Sequence, residues 1–458
     1  MRNFFKLSLS YWLAVFAGLG LWSREWEIVR LGAVKQEEDL FGIFAFCVFC
    51  AITLVVFIEI KSWKVVSNEA LALVGVPYLV CLFFISQLTE FRSPSWDYEQ
   101  YESAFRATVD GTNPYLGNRY LYPPVFADMM AFVYRIGLRV FPLLNIGKSE
   151  WIFVFYIHQS ALLFFLLLSY FLSLVFAKQI GLKDLQRVIL VSAVYLFNVP
   201  ILRTISYNQV NFYILASILL VLILLQKHPF IAGMFATLGG LIKLYPFVLS
   251  IPMFWIKKWQ ALTGMLIAFL VIIFFQTDFF RDFELWKQFY DFYRSFPIEQ
   301  ESMLFRNSSP MSFLRSTFTF LGLPDNLFSI AFTLVTLVVL IWFSIRFYQR
   351  EKADIPQDAL PMDLEYFRII GHLLDFSVIS LLIAPSAWVH HYVIAIPLTI
   401  WAVAMRGKDA PIQTVISFVL VFTLPVFNIY PFSYLRLVGI ILLLILISPR
   451  NIKKTILS

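Results

Sequence analysis

"WIFVFYIHQSALLFFLLLSYFLSLVFA", Trp151 to Ala177, carries no Asp, Glu, Lys or Arg and is long enough to cross a bilayer. A spanning helix needs roughly 20 apolar residues for a hydrocarbon core of ~30 Å. Comparable runs lie near 7 to 22, 40 to 60, 70 to 88, 188 to 202, 210 to 226, 229 to 256, 259 to 276, 326 to 346, 368 to 385, 390 to 405, 411 to 428 and 435 to 449. Over its 458 residues the chain is 60% hydrophobic and 14% charged, with 50 Phe, far outside the globular balance. The expected fold is therefore an all-α polytopic membrane protein with about 11 to 13 transmembrane helices, one of them broken or re-entrant. The first run could also be read as a cleaved signal, but no A-x-A-like site follows Leu21 and further spans come directly after it.

Cys47, Cys50 and Cys81 all fall inside expected spans, which points to packing. Cys47 and Cys50 form a C-x-x-C on an apolar helix, with no second pair or His nearby to support redox or zinc chemistry. The net charge of +7 comes from residues scattered at span ends, so it reads as topology and no nucleic-acid partner is expected. Lys61 and Lys64, then Lys178, Lys183 and Arg187, Lys227, Lys257 with Lys258, Arg346, Arg350 and Lys352, Arg406 with Lys408, and Arg450 with Lys453 and Lys454 all fall on one side. Under the positive-inside rule that side is the cytoplasm. The segment 229 to 256 must then enter and leave by one face, turning near "GGLIKLYPF", Gly239 to Phe247, where glycine and proline permit a break.

That topology sends the polar stretches to the exterior. They are loops 89 to 150 and 277 to 325, "RTISYNQVN" (Arg203 to Asn211), the Lys243 turn and "PSAWVHH" (Pro385 to His391). Ionisable groups at membrane depth are costly and mark function, so one exterior site is implied. Asp97, Tyr101 and Phe105 recur at helical spacing, with Asp97 near the start of a short helix. Asp97 has two readings: a helix cap or dipole partner, or a carboxylate of the site, for which Glu99, Glu102 and Asp110 compete. "YPP", Tyr122 to Pro124, stiffens the chain. After it, Val125, Met129, Phe132, Val133, Ile136 and Val140 form one face of an amphipathic helix, and a second such helix is expected over 279 to 296. Two interfacial helices on one side would wall a cavity open to a lipid-borne substrate.

In order along the chain stand an acidic residue opening the first large external loop (Asp97), G-x-N-P-Y (Gly111 to Tyr115), Y-P-P (Tyr122 to Pro124), "NQVN" (Asn208 to Asn211), "IKLYP" (Ile242 to Pro246), "NSSPMSFLR" (Asn307 to Arg315) and "SAWVHHYV" (Ser386 to Val393). In these the chain resembles the GT-C superfamily of polytopic glycosyltransferases, specifically glycosyltransferase family 87, the branch with mycobacterial α-1,2-mannosyltransferases that use polyprenyl-phosphate mannose. The resemblance implies a GT-C-like module over 1–346 with external loops 89–150 and 277–325, a cytoplasmic linker over 347–367, and C-terminal helices over 368–458 that complete the site. It implies an inverting transfer of a sugar, with mannose as the expected one, from a polyprenyl-phosphate donor to a lipid or glycan acceptor. The active site would face the periplasm or exterior of a multi-pass cell (inner, or cytoplasmic) membrane.

An inverting transfer needs one base at the attacking hydroxyl, and a phosphate leaving group needs cations and donors rather than a general acid. Under the resemblance Asp97 is the base, Lys243, His390, His391 and Arg315 bind the donor phosphate, and Tyr101, Asn113, Tyr115, Arg119, Tyr122, Asn208, Gln209 and Asn307 line the substrate site. No cofactor is implied, and no H-x-x-x-H or carboxylate pair suggests a metal. The partners expected are the donor, the acceptor and membrane lipids. A transporter or flippase of a lipid-linked saccharide is the alternative, because its cavity would also use external ionisable groups and a broken helix.

Overall fold

The computed structural model describes residues 96–117, 120–144, 150–196, 198–295, 307–353, 362–406, 410–424, 427 and 430–449. The three spans expected before residue 89, all three cysteines and Arg119 lie outside the described residues. Sixteen α-helices follow in order among the described residues. They are α1 Trp96–Val109, α2 Pro124–Leu144, α3 Glu150–Gln179, α4 Asp184–Leu196, α5 Val199–Ser206, α6 Asn211–Leu224, α7 Pro229–Ile242 and α8 Ser250–Trp255. Then come α9 Trp259–Gln276, α10 Glu284–Ser295, α11 Pro310–Leu321, α12 Phe328–Glu351, α13 Leu364–Ile383, α14 Ile396–Arg406, α15 Pro411–Phe418 and α16 Leu435–Leu446. Among the described residues β-type pairing is limited to one bridge, Asn307 with Trp388.

Among the described residues, five segments are long and apolar enough to cross a membrane: Ile152–Gln179, Trp259–Gln276, Asp325–Glu351, Leu364–Ile383 and Val389–Arg406. A sixth would be the pair Gln186–Tyr195 and Val199–Ser206, bent by 50°. The bend has a local cause: Asn198 caps α5 by accepting from the Ile201 amide, and Pro200 fits the first turn of a new helix rather than the interior of an old one. α13 is buried almost throughout, whereas α12 leaves most of its surface open, as befits a helix facing lipid.

Helix α13 is 20 residues long, so at 1.5 Å per residue its ends lie ~30 Å apart. At its first turn Lys258 Nζ reaches Glu365 Oε1 at 3.0 Å, and the Tyr366 hydroxyl donates to Gln179 at the end of α3. Gln179 Nε2 in turn donates to the Ile223 carbonyl at the end of α6. Beyond the last turn of α13, His391 reaches Lys243. Both ends of the 229–256 segment therefore sit by the start of α13, and its middle sits past the finish. This is the turn-back that the lysine pattern required. Helix α7 stops at Ile242, Lys243 is extended at φ −152° and ψ 127°, and a short 3-10 turn, Tyr245–Leu249, leads into α8. Gly240 lets the turn fold onto α7, because a Cβ there would lie 2.7 Å from the Phe247 ring.

Close backbone packing fixes α7 against α9. A Cβ at Gly233 would lie 1.9 Å from the Ala261 carbonyl oxygen, and one at Gly264 would lie 2.0 Å from that of Phe230. Small residues at such crossings let transmembrane helices approach. The second amphipathic helix begins at Glu284 rather than near 279, because Asp278, Phe279 and Phe280 hold positive φ values of 44°, 61° and 65°. Thr277 supports that left-handed turn, its hydroxyl accepting from the Phe280 amide at 3.1 Å.

Arg346 and Arg350 do more than mark a membrane face. Both are buried, and both bind Asp375 of α13: Arg346 through Nε at 3.0 Å and Nη2 at 2.7 Å, Arg350 through Nη2 at 2.9 Å. Arg346 also donates to the Leu444 carbonyl of α16, and Arg350 to Nδ1 of His372, whose Nε2 faces Glu351. One carboxylate thereby ties α12, α13 and α16 together.

Candidate active site

The end of the bundle beyond α13 collects the polar motifs. Lys243 is delivered there by the break after α7, where an extended residue aims its side chain across to α6 and to the 3-10 turn Val389–Ala395. Its Nζ lies 3.1 Å from Asn211 Oδ1 and 2.9 Å from His391 Nε2. Nδ1 of the same ring accepts from the Trp388 amide at 3.3 Å, since a backbone N–H only donates, and lies 3.0 Å from the Tyr245 hydroxyl. Asn211 Nδ2 donates to the His390 carbonyl at 3.1 Å, which fixes the 3-10 turn against the start of α6. Lys243 also sits 5.3 Å from the ring centroids of Tyr122 and Tyr245, within cation–π range. Arg203, buried in α5, acts electrostatically on His390 together with Lys243.

A second cluster lies against the first. The Tyr122 hydroxyl donates to Gln209 Oε1 at 2.7 Å, and the Tyr101 hydroxyl lies 2.9 Å from that of Tyr122 and 3.2 Å from Oε1. Burial pushes both phenols upward from their ordinary pKa, and the negative charge of Asp97 adds to this, so both stay protonated donors. Asp97 is half-buried in the first turn of α1, and its charge also acts on Lys243. A carboxylate therefore shares its electrostatic surroundings with two phenols and a cation.

The turn "NQVN" positions Gln209 and Asn211. Asn208 takes the left-handed conformation, φ 55°, and its carbonyl receives His158 Nε2 at 2.8 Å while its side chain binds Gln159. Asn tolerates this conformation better than most residues. His158 and Gln159 were not anticipated from the sequence, although a polar pair inside the apolar run from Trp151 was a visible signal. Tyr245, the second partner of His391, was likewise embedded in a motif read for its lysine.

Of the remaining expected residues, Asn113 and Tyr115 lie beside Tyr122, Asn307 lies beside the segment before His390, and Arg315 is paired apart from this centre. Asn113 accepts from the Tyr115 amide at 2.8 Å, a local turn that follows Gly111 at φ 68°. Tyr115 is buried, donates to the Tyr122 carbonyl, and packs on Phe289 and Phe292 of α10. At the end of α9, Gln276 donates to Asp128 of α2 at 2.6 Å and accepts from Trp286 of α10 at 3.0 Å. The two amphipathic helices are thus linked on the side of Tyr115. Asn307 Oδ1 accepts from the Ala387 and Ser309 amides, and its Nδ2 donates to the Pro385 carbonyl. It braces the segment leading to His390. Arg315 pairs with Asp325 at 2.7 Å and lies over the Phe328 ring. Among the described residues no three His, Cys, Asp or Glu side chains come together to hold a metal ion.

No curated protein and no solved structure matches the chain significantly. The sequence profile of glycosyltransferase family 87 matches residues 120–355 of the 458, a stretch that holds Tyr122, Asn208, Gln209, Lys243, Asn307 and Arg315 and leaves Asp97, His390 and His391 outside it. With more than half of its length matched, this all-helical polytopic membrane protein belongs to glycosyltransferase family 87 and is a glycosyltransferase.

Proposed function

We propose that the enzyme transfers a sugar, mannose by the resemblance, from a polyprenyl-phosphate donor to a lipid or glycan acceptor at the external face of the cell membrane. The observation that carries this reading is the contact of Lys243 with His391, 2.9 Å apart and within the field of Asp97. Asp97 takes the proton of the acceptor hydroxyl as its oxygen attacks C1 of the sugar. The C1–O bond to phosphate breaks and the electron pair leaves with the phosphate, giving inversion in one step. Lys243, His390 and His391, with Arg203 behind them, stabilise the growing charge on that phosphate, and Arg315 is assigned to its outer approach. Tyr101, Tyr122, Gln209 and Asn208 line the sugar pocket. Asn113 and Tyr115 stand beside Tyr122 at its edge, Arg119 is assigned to the substrate by the resemblance, and Asn307 holds the segment before His390 and His391 in position. The helices from 368 onward complete a site begun by residues 1–346, since His391 meets Lys243.

Purified protein incubated with a panel of polyprenyl-phosphate sugars and a membrane-lipid extract tests this reading. Transfer from a polyprenyl-phosphate sugar, with an inverted anomeric centre in the product, is the expected result. Transfer from a nucleotide sugar alone would overturn the choice of donor.

A further inference from the structure

Gln209 is 3% exposed, and its position is held from several directions. Its backbone amide donates to the Thr204 carbonyl at 2.9 Å, and its neighbour Asn208 is clamped by His158 and Gln159. Its side-chain oxygen is the acceptor for the buried Tyr101 and Tyr122 hydroxyls. Turning the amide over would present an NH2 group to the two phenols, which can pass only one proton between themselves, and would leave the other proton without an acceptor, so the oxygen faces the phenols. The NH2 group then points the other way. It makes no hydrogen bond among the described residues, yet it is not one of the fully enclosed polar atoms without a partner. A buried, rigidly oriented donor pair thus opens onto space beside the phenols that Asp97 influences and beside Tyr122, whose ring also faces Lys243.

On the reading proposed above, the base and the cation at the leaving phosphate both act on Tyr122, whose hydroxyl proton Gln209 accepts, so the transferred sugar ring sits beside this amide. We infer that the Gln209 amide donates a hydrogen bond to one hydroxyl of the transferred sugar and is a specificity-determining residue, selecting donors that carry an acceptor oxygen at that ring position. Its geometry suits this role because the two phenols set the rotamer before the sugar arrives, so little ordering accompanies binding. A site built to bond a hydroxyl discriminates strongly against the analogue without it.

The test pairs substrate and residue changes. Take the polyprenyl-phosphate sugar that the wild-type enzyme uses, and prepare its monodeoxy and monofluoro forms at each ring position. For the wild type, one monodeoxy donor should lose roughly 10- to 100-fold in kcat/KM, the effect of one lost hydrogen bond, and the fluoro form, which still accepts, should fall between. Gln209→Met should reduce transfer of the parent sugar to the level of that deoxy donor and erase the difference between them. Gln209→Glu keeps an oxygen for both phenols but replaces the donor with a negative charge, so the fluoro donor should become the poorest of the three. Gln209→Met that folds and retains the full wild-type discrimination overturns the inference, as does discrimination that follows deoxy acceptors instead of deoxy donors. If the wild type uses no polyprenyl-phosphate sugar, the functional reading fails first and this inference with it. If it uses them and Gln209 variants leave the ranking unchanged, only the inference fails.

Discussion

Lys243 Nζ and His391 Nε2 are 2.9 Å apart although 148 residues separate them in the chain. The contact joins a break in one transmembrane hairpin to the first turn after α13, and it exists only because 229–256 turns back on itself. Among the described residues the half-buried Lys243 ammonium has Asn211 and His391 as its side-chain hydrogen-bond partners, which leaves one of its three N–H donors for an anion.

That capacity sets the first prediction. Lys243→Ala should lower turnover by about 10² to 10³, equivalent to ~2.7 to 4 kcal/mol, as seen when one preorganised donor to developing charge is removed elsewhere. His391→Ala should lose a comparable factor, and the double variant should lose less than the product, since the two groups act on one phosphate. Steady-state assays on detergent-purified protein check this. Unchanged turnover in Lys243→Ala, His390→Ala and His391→Ala alike would move the phosphate site to the arginines of the external loops.

The Arg346–Asp375–Arg350 network predicts stability rather than activity. Removing the carboxylate leaves two buried guanidinium groups without their counter-ion, a loss of about 3 to 5 kcal/mol for a broken buried ion pair. Asp375→Leu should therefore unfold at clearly lower temperature in detergent. Replacing Arg346, Arg350 and Asp375 together by apolar residues of similar size should recover much of the loss, because no unpaired charge remains. Transfer per folded molecule should stay near wild type in the triple variant, as the network lies at Glu351 and His372 and not at Lys243. Equal unfolding temperatures for wild type and Asp375→Leu would show that water or lipid headgroups already neutralise the arginines.

The sequence made some of this legible and hid the rest, for reasons visible in single residues. Charge asymmetry at span ends required the turn at Lys243, and the same logic put Asp97, Lys243 and His391 on one side. Hydrophobic length revealed five spans among the described residues, whereas the runs near 210 to 226, 411 to 428 and 435 to 449 form shorter apolar helices. Nor did it show that α4 and α5 bend at Asn198, since Asn198 and Pro200 interrupt hydropathy only slightly. Arg346 and Arg350 looked like face markers because a run of amino acids shows an arginine's place but not its partner, and Asp375 sits 29 residues from Arg346. Tyr122 and Gln209, 87 residues apart, belonged to separate motifs, and nothing in either states that they share a hydrogen bond. His158 lay within a stretch whose apolarity dominated its reading.

Labelling tests the two-ended arrangement. Leu116 and Asp325 are exposed at the site end, and Lys257 and Lys352 are exposed at the end marked by Glu365. Ser309 is fully buried and unsuitable for labelling. In a background without the native cysteines, Leu116→Cys and Asp325→Cys should react with an impermeant maleimide added outside intact cells. Lys257→Cys and Lys352→Cys should react only after the membrane is opened. Reaction of all four from one side would break the link between the buried bundle and its orientation, and would remove the external placement of the site.

The decisive residue is Asp97, because an aspartate that only complements the helix dipole and a catalytic base respond differently to Asp97→Asn. In the first turn of α1 the amide would forfeit a charge–dipole contribution of about 0.3 to 1 kcal/mol, so a purely structural Asp97 predicts a variant that folds, inserts and transfers nearly as well as the parent. As a base the amide cannot serve, for it has no carboxylate to accept the acceptor's proton, and general-base catalysis worth about 10² to 10⁴ in rate should vanish. The structure separates Asp97 from its rivals. Glu102 is already paired with Arg106 one turn along α1, and Glu99 and Asp110 are exposed, whereas Asp97 acts on Tyr101, Tyr122 and Lys243. Asp97→Asn should therefore express at wild-type level and still bind a polyprenyl-phosphate sugar, with transfer lost. Glu99→Gln and Glu102→Gln should keep most activity. Transfer retained by Asp97→Asn and lost in one of the other two would reassign the base. Transfer retained by all three would leave the carboxylate of α1 without a catalytic part and would require deprotonation of the acceptor by a group elsewhere in the site.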